Sequence, residues 1–102
     1  MEPATLTQIL KEEMASYAGK GLNAISYLTV NADETVFSVV DIGVVRDKRI
    51  VWTPLIARIE DNKIIIELER NEPPLVESLR AHGVQDDQIV LNYLHPLVTA
   101  TS

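Results

Sequence analysis

The stretch "RIVWTPLIARIEDNKIIIELE", Arg49 to Glu69, narrows the fold more than any other part of the chain. Two runs rich in β-branched side chains flank Asp61-Asn62. Asn tolerates the positive φ that a type I′ turn requires, so two residues suffice to reverse the chain and lay one run against the other. The middle of the chain is thereby committed to antiparallel pairing. Along the second run, Ile64, Ile66 and Leu68 share one face and Ile65, Glu67 and Glu69 the other. Pro54 interrupts the first run. It has no N–H to donate, so it belongs at an edge or a bulge.

The flanking segments extend this hairpin. Leu22–Asn31 ("LNAISYLTVN") and Thr35–Gly43 ("TVFSVVDIG") read as strands joined by "ADET", and "VRDKR" turns the chain at Asp47-Lys48. Residues 5–18 read as an amphipathic helix, with Leu6, Ile9, Leu10, Met14 and Tyr17 on one stripe. Thr5 with Gln8 forms a capping-box pair, and Gly19 and Gly21 end the helix. A second helix follows the hairpin in "RNEPPLVESLRAHG". Asn71 or Glu72 caps it, the prolines suit its first turn, and Leu75, Val76 and Leu79 form its buried stripe. Gly83 then exits left-handed and Val84 touches Leu79, as in a Schellman motif. Gln88–Leu94 is a last strand. The order α-β-β-β-β-α-β gives an α+β fold: an antiparallel meander sheet with an N-terminal helix and a second helix near the C-terminus packed on one face.

At 102 residues the chain suits one domain, residues 1–102, with 46% hydrophobic and 24% charged residues. It has no cysteine, which excludes disulfides and thiolate metal sites. The start, "MEPATLTQILKEEMASY", carries neither a basic nor an apolar leader segment, and no apolar run reaches membrane-spanning length. A cytoplasmic protein is the expectation. Net charge is −6, which argues against a protein that grips nucleic acid unaided. The charge is uneven, however. Arg46, Lys48, Arg49 and Arg58 face only Asp47 within residues 44–58, whereas residues 60–72 are acidic.

The run "RIEDNKIIIELERNEPPLVESLRAHGVQDDQIVLNYLHP" carries a further signal. An "I-x-D-[GN]-K-I-x-I" strand is followed by an acid and a capped helix "L-V-E-x-L-x-x-x-G-V". Then come "D-x-I-V-L-x-[FY]" and a His-Pro. In this the chain resembles the XisI-like family, controlling factors of fdxN element excision common in filamentous cyanobacteria. It departs from the usual family pattern at Ile65, where relatives often carry Trp, at Asn71, where they often carry Thr, and after Pro96, where "LVTATS" lacks their arginine. The resemblance implies a small α+β protein, a homodimer, with no established enzymatic activity and no catalytic residues to carry over. It implies a role as an accessory to programmed removal of a DNA element beside an XisH-like, nuclease-related companion, with DNA contacted indirectly. Two other roles stay open: a binding or neutralising subunit for a nuclease-like partner, and a direct DNA-binding module.

Four groups of side chains merit weighing as sites. His82, Asp86, Asp87 and His95 could in principle ligate a metal, but no H-x-x-x-H or H-x-E spacing exists. His82 at a helix C-terminus and the aspartates in a turn have structural readings. No metal or other cofactor is expected. Arg46, Lys48, Arg49 and Arg58 are the candidate contact for nucleic acid or a partner. The plain alternative is a solvated turn with ordinary edge charges. Glu67, Glu69 and Glu72 read as a solvated strand face, since no nucleophile, Gly-rich loop or His stands near them in sequence. Trp52 and Ile65 are the candidate dimer interface, covering a sheet face that the helices leave open.

Overall fold

A computed structural model of the chain describes residues 1–94. Helix α1 spans Pro3–Ala15, and strands β1 (Gly19–Lys20), β2 (Ala24–Val30), β3 (Val36–Val45), β4 (Lys48–Glu60) and β5 (Lys63–Glu69) follow. Helix α2 (Leu75–Ala81) and strand β6 (Ile89–Leu91) come next, with short 3₁₀ turns at Asp86–Gln88 and Asn92–Leu94. The six strands lie in sheet order β1-β2-β3-β4-β5-β6. Neighbours from β1 to β5 pair antiparallel. The architecture is the expected α+β meander with both helices contributing to one core.

β6 departs from the meander. It pairs parallel with β5, Ile64 opposite Ile89 and Ile66 opposite Leu91. The reason is topological. A helix between two neighbouring strands can carry the chain back to the end where the first strand began, so α2 acts as a crossover rather than a hairpin link. The two-residue β1 also lies outside the sequence reading. Nothing but position marks it, since "GK" has no strand pattern.

The core is a single cluster. Leu6, Leu10 and Met14 of α1 and Leu75, Val76 and Leu79 of α2 meet Phe37, Val39, Leu55, Ala57, Ile64 and Ile66 of the sheet, and Val84 joins them. The i, i+4, i+8 spacing in α1 aligns three side chains on one stripe. Truncating one of the leucines, isoleucines, Met14 or Phe37 of this set to Ala costs about 2–5 kcal/mol, because the cavity left behind collapses only in part.

Helix ends follow local chemistry. α1 begins at Pro3 with Glu2 as the preceding residue and no side-chain cap. Proline at the first position has φ already set and no N–H to satisfy, so the helix starts before Thr5 and no capping box forms there. Gln8 Nε2 instead donates to Glu12 Oε2 at 2.6 Å. The α1 N-terminus is tied to the β4–β5 turn, where Asn62 Nδ2 donates to the Met1 carbonyl at 3.0 Å. At the end of α2 the Val84 N–H donates to Leu79 O and the Gly83 N–H to Arg80 O, with Gly83 at φ 90°. That is the anticipated Schellman exit.

Turns and bulges set which side chain faces where. Asp61 and Asn62 have φ of 53° and 57°, as a type I′ turn requires. The preceding hairpin turns at Arg46-Asp47, one residue earlier than the sequence suggested, because Val45 pairs with Lys48. Pro54 sits at a bulge. Val39 faces Leu55 and Asp41 faces Trp52, so β4 carries one extra residue between them. A second bulge lies in β5, where Ala57 faces Ile66 but Ile56 faces Leu68, leaving Glu67 as the extra residue.

Candidate functional site

The most distinctive surface is the far end of the β3–β4 hairpin, from Asp41–Trp52 to the turn. Along this arm Val44, Val45, Ile50, Val51 and Trp52 are all exposed, Trp52 at 45%. Gly43 holds the arm against the start of β2. A Cβ on Gly43 would stand 2.5 Å from Asn23 O and 2.6 Å from Ala24 Cβ. The Val44 N–H donates to Asn23 O at 3.0 Å across the same approach. A glycine in a strand interior is the sequence signal for such an approach.

Between the arm and the β1–β2 turn lies an open depression of about 720 Å³. Leu22, Ile25, Ile42 and Val44 line it together with the cations Lys20, Arg46 and Arg49 and the anion Asp47. Leu22 is 98% exposed. Neither Lys20 nor Leu22 stands out in the sequence, because the chain between Gly19 and Ala24 has no periodicity to read.

The four expected basic residues do not form one patch. Arg46, Lys48 and Arg49 cluster at the arm's turn. Arg58 lies nine residues along β4 from Arg49, about 30 Å at strand rise. Its guanidinium binds two carboxylates on the sheet face opposite the helices: Nη1 donates to Glu60 Oε1 at 2.7 Å and Nε to Glu67 Oε2 at 2.8 Å. The Glu67 bond is the main cause holding the guanidinium above its ordinary pKa. Glu67 is held below the usual carboxylate value, first by Arg58 and then by the amide of Asn92, which donates at 2.9 Å.

Trp52 and Ile65 lie on opposite faces of the sheet. Trp52 pairs with Asp41, in phase with the buried Phe37 and Val39, and so stands on the helix side beyond the helices' reach. Ile65 pairs with Arg58, which in turn faces Val36, and stands on the other side. A flat interface takes one of the two, not both.

The bulge at Glu67 also separates the acids. Alternation places Glu67 and Glu69 on one face, but Glu69 pairs with the buried Leu55 and therefore turns toward the helices. There its Oε1 accepts the Leu75 N–H at 2.6 Å, the first amide of α2, and its Oε2 accepts the Asn71 N–H at 3.3 Å. Glu69 thus does the capping that Asn71 or Glu72 was expected to do, reaching across from the sheet. Burial raises its pKa, opposed by these donors. Burial also raises Tyr17, whose hydroxyl donates to Pro73 O at 3.0 Å, and Tyr93. Glu72 is exposed.

The histidine and aspartate group does not gather. His82 Nδ1 lies 2.9 Å from Ser78 O and its Nε2 lies 3.2 Å from Glu13 Oε2, bridging α2 to α1. Asp86 Oδ1 accepts from Arg80 Nε at 2.7 Å. Asp87 is exposed, and His95 lies outside the described residues. Among the described residues no three His, Asp or Glu side chains are grouped to hold a metal ion, and no helix is long and apolar enough to cross a membrane.

The XisI protein family matches residues 2–102 of the chain, nearly its whole length. The chain belongs to the XisI family. Two solved structures share the fold of this XisI-family chain, both from Anabaena variabilis ATCC 29413. A XisI-like protein superposes with a TM-score of 0.81 at 19% identity, over 93% of this chain and 90% of that one. The fdxN element excision controlling factor XisI gives a TM-score of 0.73 at 19% identity, over 93% of this chain and 96% of that one. No curated protein matches the chain.

Proposed function

We propose that this XisI-family chain is a non-enzymatic accessory that regulates excision of a DNA element through protein partners. One observation carries the reading: the family match spans residues 2–102, and a structure of the same fold is that of an fdxN element excision controlling factor. Charge supports a protein partner over direct DNA contact. Counterion release from a duplex needs several free cations along one surface. Here Arg58 is occupied by two carboxylates, and three cations beside one anion remain at the arm's turn.

An excision reporter tests the reading. A cell carrying the chain's native element and its nuclease-related companion should lose excision when this chain is deleted and regain it on complementation. Unchanged excision in the deletion strain overturns the proposal. Suppression of DNA cleavage by the companion, without any change in excision, would instead favour a neutralising subunit.

A further inference from the structure

The depression beside the β3–β4 arm combines two properties that rarely coincide on an acidic protein. Four cations, Lys20, Arg46, Lys48 and Arg49, fall in residues 19–25 and 42–52 against the single anion Asp47, net +3. The whole chain is −6, so the rest, with five cations and fourteen anions, carries −9. The cations are interleaved with aliphatic side chains rather than set apart from them: Leu22, Ile25, Ile42 and Val44 line the same depression as Lys20, Arg46 and Arg49. None of these four cations has a carboxylate partner among the described ion pairs, whereas Lys11, Arg58 and Arg80 each do.

We propose that this depression docks an extended acidic–aliphatic peptide segment of a partner protein, acids toward Arg46, Arg49 and Lys20 and aliphatic side chains against Leu22, Ile42 and Val44. The proposal rests on the reading that the chain works through a protein partner, and it names the surface and the chemistry. Size and charge select this occupant. The strand path from Ile42 to Arg46 is about 13 Å, the span of about four to five extended residues. A phosphate backbone would satisfy the cations but would leave the aliphatic lining without apolar contact, and a longer polymer would run on into the −9 remainder. A folded second copy is the competing occupant that the particle-mass measurement below separates. A peptide segment brings its acids to the basic region alone.

The test uses the full chain and a fluorescein-labelled peptide of about ten residues alternating Glu with Leu or Val, read by anisotropy at about 0.1 M salt. The expected result is saturable binding that weakens at least about tenfold in Arg46→Glu/Arg49→Glu and measurably in Leu22→Ser. Both changes are at exposed positions, and circular dichroism confirms that each variant is folded. Absence of binding, or equal binding by the charge-reversed variant, overturns the proposal. So does displacement of the peptide by a duplex oligonucleotide at equal concentration, which would assign the arm to DNA. A particle mass that doubles with concentration in the wild type and not in the charge-reversed variant would assign it to a second copy, and also overturns it. Excision measured with the same charge-reversed variant separates this inference from the functional reading. Normal excision by that variant sinks the docking site and leaves the excision role standing. Unchanged excision on deleting the chain sinks the role itself.

Discussion

Replacing Glu69 tests the bulge in β5 directly. Strict alternation makes Glu67 and Glu69 equivalent acids on one wet face. The register makes them different, with Glu69 opposite buried Leu55 and bonded to the first amide of α2 at 2.6 Å. Glu69→Ala strands the Leu75 N–H, and Leu75 is itself fully buried. A buried donor left unpaired costs about 1–3 kcal/mol. Losing the carboxylate also removes a burial cost, visible as its raised pKa, so the net destabilisation should be about 1–2 kcal/mol. At this chain length that lowers Tm by roughly 5–15 °C. Glu69→Gln keeps an oxygen acceptor without the charge and should fall within about 0.5 kcal/mol of wild type. Glu67→Ala leaves Arg58 with Glu60 and should cost about 0.5–1 kcal/mol, as a partly exposed pair does. Thermal and urea unfolding followed by circular dichroism measure all three. The reasoning fails if Glu67→Ala is the more damaging change, or if Glu69→Gln matches Glu69→Ala.

The same two carboxyls give opposite pH signatures. Glu67 is lowered from the ordinary 4.5, so its contribution is present above that value and is lost as pH falls through the lower folded pKa. Glu69 is raised, so its contribution is present below 4.5 and is lost as pH rises through the higher folded pKa. Glu67→Gln should flatten the stability loss below about pH 4.5, and Glu69→Gln should remove a loss above it, both read from urea midpoints across pH. Gly43→Ala should cost about 1–3 kcal/mol by urea unfolding, because backbone and Ala24 must move apart. An unaffected midpoint would mean that the arm does not press on β2. Gly83→Ala at φ 90° should cost about 1 kcal/mol by the same assay, and a stabilising outcome would refute the left-handed exit.

Local chemistry was readable where one residue type has one use. Asp61-Asn62 fixed its turn, Gly83 and Val84 fixed the end of α2, and Pro54 announced a bulge. The errors share a cause. Periodicity assumes an unbroken count, and the extra residue at Glu67 moves Glu69 to the other face without any change in composition. Likewise the cap of α2 comes from β5, six residues before Leu75 in sequence, where a search among the adjoining residues does not reach. The basic group was half legible. Nearness in sequence gathered Arg46, Lys48 and Arg49, but an extended strand carries Arg58 far from them. Lys20 and Leu22 reach the depression only through sheet pairing, which no linear pattern displays.

The parallel seating of β6 has a kinetic consequence. Strands β1 to β5 join through short connections, so their pairing closes small loops and should form early. β6 contributes three residues at the sheet's edge and can seat only after α2 has crossed over. Its amides and those of Asn92–Leu94 should therefore open well below the global unfolding free energy. Hydrogen exchange would then divide the sheet into a slow meander and a fast margin, with the boundary falling between β5 and β6.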